Sequence, residues 1–174
     1  MDPQQAYVYC PRCKAKLDLF EYKKVTCAKC GWLFYFNPIP CNAVILENDE
    51  SQILMVRRAT DPFKDYWDLP GGFVEVNESV EESIVRETKE ETGIDLDPKE
   101  LQLFMTTWDR YLYKGIKDYT LGLIYSARLN NGEKPIPADD VSETKFFDHD
   151  KIPWELIAFD SIRMILKRYL SLKH

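Results

Sequence analysis

Short runs of apolar residues separated by polar turns dominate the chain from residue 42 onward. Runs at 42–46 and 53–57 flank a polar turn and predict a β-hairpin whose strands are both largely buried. Longer runs at 101–113 and 119–129 predict two long strands, and a short run at 145–147 predicts another. This part of the chain is therefore expected to form a sheet.

Two segments carry the signals of helices. Ser79 followed three residues later by Glu82 predicts a capping box at the start of the first helix, and Gly93 predicts a left-handed residue at its end. Pro153 predicts the first turn of a second helix. In that helix the apolar residues recur at helical spacing: Ile162, Ile165, Leu166 and Tyr169. Mixed strands with two helices predict an α/β sandwich with a mixed sheet.

The first 38 residues follow a different pattern, with two Cys-x-x-Cys pairs thirteen residues apart: Cys10, Cys13, Cys27 and Cys30. Without a secretion signal thiols stay reduced, so a tetrahedral zinc site is favoured over disulfides. Too few apolar residues lie between the pairs for an independent core, so Zn²⁺ would supply much of the folding free energy. We expect a small structural zinc ribbon at 1–38 and a larger domain at 39–174. Cys41 is expected to be a small buried residue at a strand start.

Composition and charge narrow the classes of function. Hydrophobic residues make up 45% of the chain and charged residues 30%, and the formal net charge is −6, which disfavours broad binding to nucleic acid. No run of eighteen apolar residues and no signal-peptide layout occurs, which predicts a cytoplasmic protein without a membrane partner. The ribbon is nearly neutral, so packing or a homodimer is its favoured role. With only His149 and His174, a histidine-based triad is disfavoured.

An acidic segment at 72–94 carries the candidate chemistry, and it reads GFVEVNESVEESIVRETKEETGI. Glu87, Glu90 and Glu91 stand three and four residues apart, which places their carboxylates on one face of the predicted helix. Like charges at this spacing repel one another, and Mg²⁺ or Mn²⁺ would offset the repulsion because both prefer oxygen ligands. The segment therefore predicts a site for a divalent cation and, with it, phosphate.

The residues around the carboxylates support that interpretation. Arg86 has a natural partner in Glu78, which would fix the preceding loop against the helix. Gly71 and Gly72 would let the backbone approach the metal closely. The alternative is a solvated acidic helix, and it does not explain why glycines, arginine and carboxylates all fall at these offsets.

The segment resembles the Nudix box, and the resemblance extends from residue 42 to the C-terminus, including the approach at 66–72 and an acidic stretch at 140–143. It implies an α/β/α sandwich and the Mg²⁺- or Mn²⁺-dependent hydrolysis of a nucleoside diphosphate linked to another moiety. The substrate would be a small nucleotide. The cysteine pairs ahead of the box resemble the zinc-ribbon branch of the family that includes NADH pyrophosphatases.

The motif match implies roles for individual residues. Glu87 and Glu91 would be the principal metal ligands, with Glu90 assisting and the carbonyl of Gly72 as a further ligand. A carboxylate is expected to activate the attacking water as general base, and Glu90, Asp140 and Glu143 are all candidates. Glu143 is preferred among them. The expected catalytic set is thus Arg86, Glu90, Glu91 and Glu143.

Three departures from the family pattern bear on the substrate and the loop before the box. Thr88 stands where an aliphatic residue is usual, and Asp65 stands where a glycine is expected. The segment 106–111 keeps a tryptophan but none of the prolines that follow the box in NADH pyrophosphatases. ADP-ribose or a nucleotide sugar is therefore as plausible a substrate as NADH.

Arginine and aromatic residues are the candidates for substrate binding. Arg58 follows a buried strand and is expected to hold phosphate or ribose through charge-assisted hydrogen bonds. Trp108 and Tyr111 are expected to contact the base. Further aromatic candidates are Trp67, Tyr113 and Phe159.

Two other functions on the same fold are alternatives to hydrolysis. A non-catalytic nucleotide-sensing regulatory or binding protein would be favoured by loss of the box carboxylates, and none is lost. An isomerase would need a cysteine in its pocket, and Cys41 is poorly placed for that.

Overall fold

The computed structural model of the chain describes residues 7–21, 23–113, 115–129 and 132–173. His174 and the side chains of Leu19, Phe20 and Tyr113 lie outside this part. The chain divides into two compact units. The first comprises Met1–Ile39 and Asp109–Thr120, and the second comprises Pro40–Trp108 and Leu121–His174.

The N-terminal unit contains a three-stranded antiparallel sheet. Its strands, in the order β1-β2-β3, are β1 (Leu19–Glu21), β2 (Lys24–Thr26) and β3 (Leu33–Tyr35). The buried residues of its small core are Cys10, Leu17, Val25 and Cys27. Rings from Tyr7, Trp32, Phe34 and Phe36 pack on this core. A core that includes two cysteines agrees with a unit built around thiol groups.

A six-stranded sheet lies mainly in the second unit. Its strands are β4 (Ile39–Glu47), β5 (Ile53–Arg58), β6 (Trp67–Asp68), β7 (Gln102–Tyr113), β8 (Ile116–Arg128) and β9 (Val141–Phe147). The strand order is β6-β5-β4-β8-β7, and β9 pairs with β5. β5 runs antiparallel to β4, β6 and β9, whereas a parallel bridge joins Trp67 to Ile157. The predicted α/β class with a mixed sheet is confirmed.

Helices α1 (Val80–Thr92) and α2 (Asp160–Ser171) belong to the same unit as this sheet. Ile162, Ile165 and Leu166 of α2 join one buried cluster together with Ala43 and Ile45 of β4. Ile84 of α1 joins a second cluster, which contains Val44 and Leu46. Successive residues of β4 are therefore buried on opposite faces, which explains why this strand reads as a continuous apolar run. Within the described ranges, no helix combines the length and apolar character that crossing a bilayer requires.

Three local predictions need correction. The final helix begins at Asp160 rather than Pro153, because Pro153 instead precedes a short 3-10 turn and the chain then extends to form the bridge at Ile157. The strand predicted at 145–147 starts earlier, at Val141, because it pairs along β5. Cys41 lies in β4 but is half-buried rather than buried, with its thiol 3.7 Å from the carbonyl oxygen of Leu121.

A buried carboxylate fastens the end of α2 to the sheet. Glu47 is 1% exposed, and its side chain accepts a hydrogen bond of 2.7 Å from the hydroxyl of Tyr169. The ammonium of Lys173 lies 2.9 Å from the same carboxylate, and Arg128 lies 3.7 Å away. Burial acts to raise the pKa of Glu47, but the hydrogen bonds from Lys173 and Tyr169 outweigh it and lower the pKa.

Replacing Glu47 with glutamine is expected to lower the free energy of unfolding by about 1–3 kcal/mol at neutral pH, because a buried charge-assisted network is broken. Since the folded-state pKa is lowered, this contribution is present above the unfolded pKa, about 4.5, and is lost as the pH falls through the folded value. Denaturant unfolding of both proteins, from about pH 7 down to about pH 3, measures this contribution to stability. The exposed Glu50→Gln serves as control; a difference between wild type and Glu47→Gln that does not shrink toward low pH would contradict the assignment.

Candidate active site

Helix α1 presents the predicted acidic face, and both of its ends are fixed locally. The Ser79 hydroxyl accepts a hydrogen bond from the backbone N–H of Glu82, and the Glu82 carboxylate accepts one of 2.7 Å from the N–H of Ser79. Gly93 adopts φ 73° and its N–H donates to the carbonyl of Lys89. The predicted capping box and left-handed end are thus confirmed. They set the start and end of α1 and so the positions of its carboxylates.

Gly71 and Gly72 run against β4 and α1 with no space for a side chain. A Cβ atom on Gly71, whose φ is 146°, would lie 2.4 Å from the carbonyl oxygen of Asn42. One on Gly72 would lie 2.5 Å from a carboxylate oxygen of Glu87. The Gly71 N–H donates a 3.0 Å hydrogen bond to the carboxylate of Glu91, and the Gly72 carbonyl accepts one of 2.8 Å from the N–H of Asn42. The glycines therefore bring backbone directly to the acidic face.

Arg86 of α1 forms hydrogen bonds to the segment that precedes the helix. Its guanidinium donates to both oxygens of Glu78 at 2.8 and 3.1 Å, and to the carbonyl of Phe73 at 3.2 Å. It also donates to Glu87 at 2.8 Å and to Glu90 at 3.0 Å. The hydrogen bonds from Arg86 are the main reason that the pKa of Glu78 falls to about 2. The fork of Arg86 thus holds two of the three predicted carboxylates in place.

The three carboxylates of α1 differ in their environment. Glu91 is buried at 6% exposure, Glu87 is half-buried, and Glu90 is exposed. Burial raises the pKa of Glu91 well above its ordinary value, and the charges of Asp140, Asp68 and Glu87 raise it further. Burial also raises the pKa of Glu87. Burial and neighbouring acids therefore disfavour the charged form of Glu91 when no cation is bound.

Sequence reasoning missed one further acid that acts on Glu91, namely Asp68. It is 8% exposed in β6, burial raises its pKa to about 6, and it pairs with Arg58 at 3.4 Å. The available signal was an acid between the apolar residues Trp67 and Leu69, where a buried strand has no use for a charge. We refer to Asp68, Glu87, Glu91 and Asp140 together as the acidic centre.

The loop before β9 approaches the C-terminal end of α1. The N–H groups of Ile136 and Ala138 donate to the carbonyls of Thr92 and Glu91 at 2.8 and 3.1 Å. Asp140 follows this loop, and its charge raises the pKa of both Glu87 and Glu91.

Glu143 has a different neighbour. It is half-exposed on β9 and pairs with Arg57 at 3.3 Å. Its predicted role as general base stays a prediction.

The predicted substrate-binding residues lie in different places. Arg58 is the last residue of β5 and borders the acidic centre through Asp68. Trp108 is 65% exposed on β7, and Tyr111 falls in the unit that contains the cysteines. Trp67 is 7% exposed and packs edge-on against Phe147, so it belongs to the core.

Asp65 explains why a glycine is usual at its position. It adopts φ 70°, a left-handed conformation that favours glycine and is tolerated by aspartate. Its carbonyl accepts a 3.0 Å hydrogen bond from Arg57. The departure at Asp65 therefore leaves the turn intact.

Thr88 has a buried hydroxyl that finds no hydrogen-bond partner among the described residues. Thr88→Val is accordingly expected to raise the free energy of unfolding by about 1 kcal/mol, because it replaces an unsatisfied hydroxyl by a methyl group of the same shape. Thr92, in the same helix and equally buried, donates to the carbonyl of Thr88 at 2.6 Å. Thr92→Val should therefore lower the stability by a similar amount, about 1 kcal/mol. Urea unfolding compares the two variants. If both substitutions changed the free energy of unfolding in the same direction, this account would be contradicted.

The four N-terminal cysteines form a compact group. Their sulfur atoms all lie within 4.8 Å of one another, with Cys10–Cys30 at 3.7 Å and Cys13–Cys27 at 3.6 Å, and none forms a disulfide. These distances match the edge of about 3.8 Å of a tetrahedron with metal–sulfur bonds of about 2.3 Å. Lys14 and Gly31 follow the two pairs with φ 61° and 70° and turn the chain back after each. The group could hold a metal ion.

Residues 39–167 match the model of the NUDIX domain family, and the chain belongs to that family. It is 34% identical to an ADP-ribose pyrophosphatase of Methanocaldococcus jannaschii over 159 residues, which cover 91% of this chain and 83% of that protein. It is 34% identical to an NAD-capped RNA hydrolase, NudC, of Vibrio atlanticus over 93 residues, which cover 53% of this chain and 34% of that protein. A crystal structure of a NUDIX hydrolase from Nitrosomonas europaea has a TM-score of 0.70 and 27% identity, covering 94% of this chain and 90% of that one.

These findings confirm the family and the class of enzyme expected from the sequence. The chain is a Nudix hydrolase, and the class of reaction is cleavage of a pyrophosphate in a nucleoside diphosphate linked to another moiety. The individual site residues remain predictions, which the geometry of the acidic centre now makes specific.

Proposed function

We propose that this chain hydrolyses the pyrophosphate of ADP-ribose in a reaction that depends on Mg²⁺ or Mn²⁺. The observation that carries the proposal is the acidic centre, in which the buried Glu91 lies within electrostatic range of Asp140, Asp68 and Glu87. Carboxylates held together in a buried place repel one another, so the arrangement favours a protein that works with a divalent cation bound. The Methanocaldococcus relative, named for ADP-ribose and matched over most of both chains, supports this substrate.

The residues present suit such a cation. Glu87 and Glu91 would hold it, Glu90 would assist from the exposed side of α1, and the carbonyl of Gly72 would add a ligand. That carbonyl accepts one hydrogen bond, from Asn42, and keeps a second lone pair. All of these donors are oxygens, as hard divalent cations require. When bound, the cation lowers the pKa of a water ligand and offsets the charge that develops on the phosphate oxygens.

The remaining residues orient the carboxylates and bind the substrate. Arg86 holds the carboxylates of Glu87 and Glu90 at fixed orientation, and the N–H of Gly71 does the same for Glu91. Arg58 would bind a phosphate oxygen of the substrate, since its guanidinium lies at the border of the acidic centre. The reaction is attack of water on one phosphorus, with the other phosphate as the leaving group.

For the general base we favour Asp140, because the loop before it is hydrogen-bonded to the end of α1 and its charge acts on Glu87 and Glu91, whereas Glu143 is engaged by Arg57. Asp140→Asn should therefore lower kcat by about 10²–10⁴-fold and flatten the acidic limb of the pH–rate profile. Glu143→Gln serves as the matched comparison. If Glu143→Gln produced the larger loss and the changed profile, the base would be Glu143, as the sequence suggested.

We further propose that the four cysteines hold Zn²⁺ in a closed structural site. The ribbon would occupy residues 1–38, ahead of a catalytic domain at 39–174, and the start of the family match at residue 39 supports that boundary. Four sulfur ligands leave no open position for a substrate, so the site would stabilise the fold and take no part in hydrolysis.

A product-resolved hydrolysis screen tests the proposed activity. It covers ADP-ribose, NADH, sugar nucleotides, dinucleoside polyphosphates and oxidised nucleoside triphosphates, each with Mg²⁺ and with Mn²⁺. We expect the highest kcat/KM with ADP-ribose. Preference for another substrate of the panel would change the proposed identity of the leaving group. If folded, metal-loaded protein hydrolysed none of the substrates, the nucleotide-sensing alternative would be favoured.

A further inference from the structure

The loop between β5 and β6 carries an exposed aromatic residue whose backbone adopts an unfavourable conformation. Phe63 adopts φ 63°, a left-handed region that bulky residues rarely enter, and its side chain is 45% exposed. Its ring meets that of Phe159 edge-on at 5.0 Å and that of Tyr66 at 5.9 Å. Backbone strain of this kind is concentrated at ligand sites. A residue that only anchored the loop would be expected to bury its ring.

Arg58 links this aromatic group to the acidic centre. Its Nε donates to the carbonyl of Pro62 at 2.8 Å, and its guanidinium lies 5.5 Å from the centre of the Phe159 ring. On the other side it pairs with Asp68 at 3.4 Å. The guanidinium is thus held between a phenyl ring and the acidic centre, with only 19% of its side chain exposed.

Two further contacts place the same loop beside the reaction centre. The N–H of Ala59, at the start of the loop, donates a 2.7 Å hydrogen bond to the carbonyl of Asp140. Asp68, which follows the loop, acts electrostatically on Glu91. Phe63 therefore projects from a loop whose two ends both adjoin the acidic centre.

We propose that Phe63, backed by Phe159, stacks on a planar heteroaromatic ring of the substrate while Arg58 binds the adjoining phosphate. The inference rests on the proposed hydrolysis and adds to it the residue that recognises the ring. An exposed phenyl face accepts any flat heterocycle, because stacking depends on surface overlap rather than on a hydrogen-bond pattern. The heterocycle is the adenine of the nucleoside or, in a dinucleotide, a ring on the departing moiety.

The test compares Phe63→Leu, which keeps an apolar side chain but removes the ring, with Phe63→Tyr, which keeps the ring. For Phe63→Leu the KM for ADP-ribose should rise by about 5- to 100-fold with kcat within about twofold of wild type, as expected from loss of one stacked base. Phe63→Tyr should restore the wild-type KM. Tyr35→Leu, an exposed aromatic of β3, is the matched control and should leave both constants unchanged.

Two substrates distinguish which ring is bound. A raised KM with ADP-ribose assigns the adenine, because its other moiety carries no aromatic ring, and a raised KM with NADH alone assigns the nicotinamide. An unchanged KM with both substrates, or a loss confined to kcat, overturns the proposal. Thermal unfolding of each variant shows whether the Phe63→Leu protein is folded under the assay conditions.

A binding measurement separates this proposal from the proposed reaction. Etheno-ADP-ribose, a fluorescent analogue, is titrated into Glu91→Gln protein with and without Phe63→Leu. Stacking on Phe63 predicts tighter binding with the phenyl ring present, by the same factor of about 5–100. Equal affinities, together with an unchanged KM for NADH, overturn the proposal even if hydrolysis is confirmed. Catalysis that survives Glu91→Gln would instead contradict the proposed function and leave the stacking result standing.

Discussion

Replacing Glu91 with glutamine is expected to lower kcat for hydrolysis by about 10³-fold or more, since removing the charge of this proposed metal ligand would cost several kcal/mol of transition-state stabilisation. Glu91 is the most buried carboxylate of α1, and it receives the N–H of Gly71 at 3.0 Å. Glutamine has nearly the same shape and can accept that hydrogen bond, but it carries no charge. Steady-state kinetics with saturating Mg²⁺ or Mn²⁺ measure the effect.

The same substitution separates catalysis from folding. Burial and the neighbouring acids raise the pKa of Glu91, so its charged form is unfavourable in the metal-free fold. In buffer without added Mg²⁺ or Mn²⁺, Glu91→Gln should therefore unfold at the same temperature as wild type or a higher one. Added Mg²⁺ or Mn²⁺ should stabilise wild type more than the variant, because ligands that bind only the folded state raise its stability by mass action.

Glu82→Gln provides the control on the same helix. Glu82 is exposed and closes the capping box, a role that glutamine also fills. We expect this variant to keep wild-type kcat and stability. Full activity in Glu91→Gln, or equal losses in both variants, would remove the basis for assigning Glu91 to the metal.

Replacing Cys27 with serine is expected to abolish tight zinc binding and to unfold the N-terminal unit. Structural zinc contributes about 10–16 kcal/mol to small domains of this kind, far more than the small core around Leu17 and Val25 can supply. Metal analysis of the purified protein should give about one equivalent of zinc for wild type and less than about half for the variant.

Cys41→Ser is the matched control for the zinc site. Cys41 lies in β4, outside the four-sulfur group, and its thiol contacts the carbonyl of Leu121. The variant should keep its zinc. If wild type held no zinc, or Cys27→Ser retained it, the proposal that the four cysteines form a structural zinc site would be wrong.

Features that depend on residues close in sequence could be predicted from the sequence. The capping box of Ser79 and Glu82, the left-handed Gly93 and the pairing of Arg86 with Glu78 all rest on short sequence separations. The cysteine group was also predictable, because each Cys-x-x-Cys pair brings two sulfurs together locally. Local geometry decides these features before any tertiary packing forms.

Features that depend on distant partners could not be predicted in the same way. Asp68 is part of the acidic centre because β6 places it near residues of α1 and of the loop before β9. The start of α2 was misplaced because the bridge between Trp67 and Ile157 extends the chain after Pro153. The exposed ring of Phe63 depends on a left-handed turn that no glycine marks.

Hydrolysis of ADP-ribose in water enriched in oxygen-18 tests the central claim most directly. The account predicts AMP and ribose 5-phosphate as products, with one labelled oxygen on the phosphate of one of them, in a reaction that requires Mg²⁺ or Mn²⁺ and that Glu91→Gln does not support. Products from cleavage at the sugar carbon, turnover independent of the cation, or no turnover by folded wild-type protein would contradict it.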